Sequence, residues 1–128
     1  NQVIEYEDSV INAYVADSFP EMKKSGQGFW YWNMSNTKGH LLKENDACRV
    51  SVTIYDLDGV LCDKQDMKIK IGKNQIFKGL DDGLRLLVRG DNAWFVFPWY
   101  LAYGLKGNGD KVPPYTSLKV YVKVYRDF

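Results

Sequence analysis

The run Phe29-Trp30-Tyr31-Trp32 commits aromatic side chains to both faces of a segment whose residue types favour a strand. Such a strand can leave neither face to solvent, so it needs an apolar layer above and another below. The stretch ahead of it supplies one of these layers. From Val3 to Phe19 the residues Val3, Ile4, Val10, Ile11, Tyr14 and Val15 recur at helical spacing, and Pro20 closes the segment. Glu5, Glu7 and Asp8 fall in its N-terminal half, where the helix dipole favours acids. An amphipathic helix lying over the aromatic strand is therefore expected, joined to it by the polar linker Glu21 to Gly28.

The remainder reads as strands around one further helix. Cys48 to Leu57 places Val50, Val52 and Ile54 on one face and turns at Asp58-Gly59 into Val60, Leu61 and Cys62. Lys68-Ile69-Lys70-Ile71 alternates and stops at Gly72. Gly79 to Val88 carries Leu80, Leu84, Leu87 and Val88 on one helical stripe. Asp81 and Asp82 suit its N-terminal end, Arg85 and Arg89 its C-terminal end, and Gly90 a left-handed cap. Asn92 to Phe97 points Ala93, Phe95 and Phe97 one way and Trp94 and Val96 the other, before Pro98 breaks it. In the last strand Leu118, Val120, Val122 and Val124 alternate with Lys119, Tyr121, Lys123 and Tyr125. The fold class is α+β, a curved antiparallel sheet of about five strands over one short helix, plus an N-terminal helix and an extra strand. Residues 1–45 are expected as an extension packed on a domain of residues 46–128, with Trp94, Val96 and Trp99 beneath it; the alternative is that these three form an exposed apolar patch for a partner.

Charge and residue usage remove several function classes. The 17 basic and 16 acidic residues give +1 with no basic block, which is no footprint for nucleic acid or an anionic membrane surface. No apolar run approaches the roughly 18 residues of a membrane span. Cys48 and Cys62 flank the Asp58-Gly59 hairpin, and its register leaves them roughly 23 Å apart along the strands, so two free, buried thiols are expected. His40 is the single histidine, which leaves neither a metal cluster nor a base for a thiol nucleophile. No cofactor is expected. The chain opens at Asn1 without a signal segment, which fits a trimmed exported protein, and Asn33-Met34-Ser35 is a glycosylation sequon of little weight.

The densest functional signal lies near the end. Phe97-Pro98-Trp99-Tyr100-Leu101-Ala102-Tyr103-Gly104 leads into a glycine-dotted polar loop, Leu105 to Lys111, and then Val112-Pro113-Pro114. A flap of that kind over an apolar pocket is a binding-site design. Upstream stand Asp58-Gly59-Val60-Leu61-Cys62-Asp63, Ile71-Gly72-Lys73 and Ile76-Phe77-Lys78-Gly79-Leu80-Asp81-Asp82-Gly83-Leu84, followed by Leu87-Val88-Arg89-Gly90-Asp91. In this order and spacing the elements resemble the FKBP-type peptidyl-prolyl cis–trans isomerases across about Arg49 to Val124. The likeness is greatest to exported or lipid-anchored bacterial members with an N-terminal extension.

The resemblance implies a half-barrel sheet wrapped on a short helix, with the site between them. It places Leu80 at the pocket floor and has Ile76 and Phe77 line the wall before the helix. Tyr103 would direct its hydroxyl at a substrate carbonyl, Asp63 would be the pocket carboxylate, and Val112 part of the flap. Val52, Cys62, Met67, Phe97 and Val120 complete the implied lining. The family pattern prefers Tyr at Val52, Phe at Cys62, Met67 and Val120, and often Trp at Leu80, whereas it usually has an aliphatic residue at Phe77. The implied partners are proline-containing polypeptides and the family's macrolide inhibitors, and the implied protein is a monomer in the periplasm or lipid-anchored at the envelope.

Each of these residues has a plainer reading. Tyr103 serves equally as a core tyrosine, Asp63 as a solvated loop acid, and the apolar set as ordinary core. A catalytically weak peptide-binding or chaperone module would carry the same sequence, given the thinned ring lining. A structural subunit docking through its aromatic N-terminal part is a third reading.

Overall fold

The computed structural model describes residues 1–127, so Phe128, the end of the expected second segment, lies outside the described residues. The elements in chain order are α1 (Gln2–Ser18), β1 (Lys23–Lys24), β2 (Trp30–Asn33), β3 (Ala47–Asp56), β4 (Leu61–Lys70), α2 (Lys78–Leu84), β5 (Asn92–Phe97) and β6 (Leu118–Val124). A 3-10 turn, Trp99–Leu101, follows β5. The strands form one antiparallel sheet in the order β1-β2-β5-β6-β3-β4. The two strands of the N-terminal part thus extend the sheet at the free edge of β5, consuming hydrogen-bonding groups that would otherwise be unpaired.

Alternation along β5 separates two cores. Ala93, Phe95 and Phe97 join Leu80, Leu84, Val50, Val52 and Ile54 in the larger cluster beneath α2. Val96, with Trp94 beside it, meets Ile11 and Val15 of α1 and Met22 on the opposite face. The aromatic strand obeys the same parity, because Phe29 and Tyr31 belong to the first cluster and Trp30 and Trp32 to the second. The two helices therefore cover opposite faces of one sheet. Trp99, expected beneath the N-terminal part with Trp94 and Val96, is buried and edge-on to Tyr100 and Tyr115 at 5.4 and 4.8 Å between centroids.

The docked face of α1 is narrower than its sequence suggests. Val3, Tyr6 and Val10 are exposed, and the buried contacts come from Ile11 and Val15. Its first half is held by polar contacts instead. The Tyr100 hydroxyl donates to Asp8, and Ser117 Oγ donates to Glu7 while accepting from the Trp99 N–H at 3.1 Å.

Two elements differ from the sequence expectation. The return strand runs unbroken from Leu61 to Lys70, paired along β3 from Tyr55↔Leu61 to Ala47↔Lys70. Its polar middle is carried by ladder hydrogen bonds, which need no apolar side chain. The second helix ends at Leu84, and Leu86 and Leu87 follow in turns that donate to Gly83 and Leu84 at 3.0 Å each. Leu87 is fully buried all the same, so the leucine stripe reports burial and not helix length. Arg85 and Arg89 bind Glu44 and the Ala47 carbonyl in place of helix-terminal carbonyls, and Gly90 (φ 101°) serves the turn into β5.

Candidate functional site

Glycine sets how closely α2 lies against the sheet. A Cβ on Gly83 would come within 2.7 Å of Phe95 Cε1, and one on Gly79 within 2.5 Å of the Leu101 carbonyl. This pair, one turn apart, lets the helix start sit directly on β5 and the turn after it. Leu80 is then 1% exposed, and Phe77, the extended residue before the helix, is 5% exposed.

Phe77 is the hub of the predicted site. Its ring meets Phe97 at 5.1 Å and Tyr103 at 5.2 Å between centroids, both edge-on, the geometry favoured by ring quadrupoles. Val52, Cys62, Phe77, Leu80, Phe97, Val112 and Val120 all lie buried in the main cluster, and Met67, Ile76 and Tyr103 pack against it half-buried. Fold and chain order thus bring the predicted apolar residues together. That cluster is also the core of the whole sheet, so co-burial alone does not set a site apart from packing.

Asp63 and Tyr103 stand at its margin. In β4, Ile54 pairs with Asp63 and Tyr55 with Leu61, so Cys62 is the extra residue of a bulge. The bulge lets Cys62 be buried beside a half-buried Asp63. The Asp63 carboxylate accepts from the Lys64 N–H at 2.8 Å and from Gln65 Nε2 at 2.7 Å. Burial, and secondarily the charge of Asp63, push the Tyr103 hydroxyl above its ordinary value. At neutral pH Tyr103 therefore keeps its proton and can donate a hydrogen bond.

The loop after Tyr103 holds its own shape. Asn108 Oδ1 accepts from the N–H of Asp110 and of Val112, each at 3.0 Å, and the Asn108 N–H donates to the Val112 carbonyl at 2.9 Å. Gly107 is required there, since its φ is +69° and a Cβ would meet the Val112 carbonyl oxygen at 2.2 Å. The Tyr115 N–H donates to the Gly104 carbonyl at 3.0 Å and closes the loop's base. Val112 is carried inward, 1% exposed.

Three surface hollows, beside Arg49, Glu21 and Glu7, are lined by none of the predicted site residues. Phe77 stands where an aliphatic residue was expected from the resemblance, and its ring packs against Phe97 and Tyr103.

A family model described as FKBP-type peptidyl-prolyl cis-trans isomerase matches residues 39–125. The chain belongs to that family. A probable FKBP-type isomerase of Haemophilus influenzae is 29% identical over 107 residues, covering 81% of this chain and 44% of that protein. A macrophage infectivity potentiator of Trypanosoma cruzi is 32% identical over 83 residues, covering 62% of this chain and 42% of that one. The chain thus spans less than half the length of these relatives. In fold it is similar to a peptidyl-prolyl isomerase of Pseudomonas syringae (TM-score 0.77, 21% identity, 94% of this chain and 92% of that one). It is also similar in fold to FkpA of Escherichia coli (TM-score 0.79, 23% identity, 94% and 57%). The family's fold is therefore present with its N-terminal helix in place.

Sequence reasoning missed Asp81, taken there for a helix-end charge. It is 4% exposed, and its Oδ2 accepts from the N–H groups of Gly72 (2.7 Å) and Asn74 (3.0 Å). One buried carboxylate thereby fixes the loop that carries Ile76 and Phe77. Its position three residues into a helix, after a Gly-Lys-Asn turn, was the available signal.

Both cysteines are free and buried, as expected. Burial pushes the Cys48 thiol up to about 11, and burial with the Asp56 charge raises Cys62 as well. Only thiolate reacts, so neither should consume Ellman's reagent at pH 8 until the protein is unfolded. Rapid labelling of the native chain would contradict this packing. The sequon asparagine is also engaged, with Asn33 Nδ2 donating to buried Asp91 at 2.9 Å.

Proposed function

We propose that this chain catalyses cis–trans isomerisation of Xaa-Pro bonds in polypeptide clients, at the surface where Phe77, Tyr103 and the loop to Val112 converge. The carrying observation is the Phe97–Phe77–Tyr103 ring contact at the start of α2, where the Tyr103 hydroxyl keeps its proton at neutral pH. Rotation about the prolyl amide has a barrier of about 20 kcal/mol, because twisting destroys resonance. The twisted amide is less polar across C–N than the planar one, so an apolar, water-poor site lowers its energy selectively. A ten-thousandfold acceleration requires only about 5.5 kcal/mol of such selectivity, with no nucleophile, metal or cofactor.

In this reading Tyr103 donates to a substrate carbonyl, Asp63 polarises the rim, and Ile76, Phe77 and Val112 contact the prolyl residue. Val52, Cys62, Met67, Leu80, Phe97 and Val120 back them. Exported clients, a periplasmic or lipid-anchored setting, macrolide binding and a monomeric state belong to the same proposal. Their support is the likeness to bacterial relatives.

A protease-coupled prolyl assay tests the reading. Tyr103→Phe should lower kcat/KM about fivefold, the worth of one hydrogen bond of about 1 kcal/mol, and Asp63→Leu should lower it comparably. No acceleration by the intact, folded chain would end it. The thinned ring lining, with Val52, Cys62, Met67 and Val120 where the family prefers aromatic residues, favours one second reading, a chaperone that grips apolar segments without catalysis. Suppressed aggregation of an unfolded client, indifferent to both substitutions, would select that reading.

A further inference from the structure

We infer that the end of the sheet formed by β3 and β6 holds a second binding site, for a phosphate-type oxyanion. A hollow of about 570 Å³ opens there, lined by Arg49, Lys123 and Arg126 together with Gly90, Val124, Tyr125 and Asp127. Three positive side chains less one carboxylate leave a lining charge of +2. These cations come from the first residues of β3, the last of β6 and the segment beyond it, so only folding assembles them.

Two of them stack around one ring. Arg49 Cζ lies 4.6 Å and Lys123 Nζ 5.2 Å from the Tyr125 centroid. Arg49 is paired with Asp66 at 2.8 Å, and the Tyr125 hydroxyl donates to the same carboxylate at 2.8 Å. That pairing fixes the guanidinium and the ring while leaving further N–H donors on the fork. Lys123 and Arg126 have no ion pair among the described residues. Like charges held this close repel one another, and a dianion between them converts that repulsion into charge-assisted hydrogen bonds. Guanidinium forks match the oxygen spacing of phosphate, and the hollow has room for more than the bare ion. Val124 at the base of the hollow also belongs to the main cluster, but none of the charged lining residues does, and the hollow shares no residue with the proposed prolyl site.

The test is a titration of the full chain with pyrophosphate at low ionic strength, followed by amide NMR shifts. Saturable shifts confined to Gly90 and residues 123–127 are expected, weakened at least about tenfold by the double variant Lys123→Glu, Arg126→Glu and abolished when salt shortens the screening length to about 3 Å. Asp127→Asn should tighten binding. These side chains are exposed, and an unchanged melting curve shows that the variants fold. Shifts spread evenly over the surface lysines, or no saturation, overturn the proposal. Flotation with phosphatidylglycerol vesicles, lost in the double variant, assigns the oxyanion to a lipid headgroup. Binding of pyrophosphate without flotation assigns it to a soluble phosphate compound.

Discussion

Phe29→Ala is expected to cost about 3–5 kcal/mol in a urea denaturation, the usual range for removing a fully buried phenylalanine. Phe29 is 0% exposed and touches Phe97, Phe95 and Tyr31 at 5.2, 5.9 and 6.4 Å between ring centroids. It enters the main core from the segment before β2, outside the stretch that the family model matches. A large loss therefore means that the N-terminal part is built into the domain's central packing. A loss below about 1 kcal/mol, within the range of surface changes, would show instead that it merely rests on a self-sufficient core. The same substitution should reduce prolyl isomerase activity in the surviving folded fraction, because Phe97 links Phe29 to Phe77.

Asp81→Ala is the second large effect. It leaves two backbone N–H groups, of Gly72 and Asn74, without their acceptor, at an expected cost of about 2–4 kcal/mol. Amide exchange at those two positions should accelerate more than exchange in β3, because the loop is freed before the sheet. Asp81→Asn keeps an acceptor oxygen and should restore most of the stability. If alanine and asparagine behave alike and both amides stay protected, the clamp is not what holds the Ile76–Phe77 turn. Activity should follow the clamp, falling in the alanine variant and recovering in the asparagine one.

The contrast between these two residues shows where the sequence is legible. The parity of Phe29-Trp30-Tyr31-Trp32 and of Ala93 to Phe97 declares which side chains share a face, because a strand alternates strictly. Two faces, two helices and an antiparallel sheet follow from that alternation and the leucine stripe. Asp81 carries no such sign. An acid in the first turn of a helix is explained by the helix dipole, and only the loop folded back from Gly72 reveals two donors waiting for it. The length of α2 was equally hidden, since Leu87 sits on the stripe and is buried without being helical. The strand from Leu61 to Lys70 was legible only at its ends, because its middle is stabilised by backbone pairing that leaves no apolar pattern.

Order and chemistry of the predicted site residues are sequence properties, whereas the gathering of the apolar ones in a single cluster is a result of the fold. By itself the sequence determined the layers, the sheet parity and the free, buried thiols, all of which follow from local periodicity and residue type. Tertiary structure alone decided that Phe77 packs between Phe97 and Tyr103, that Asp81 clamps the loop before it, and that Arg49, Lys123 and Arg126 share one hollow. These depend on distances between segments far apart in the chain, which periodicity does not encode.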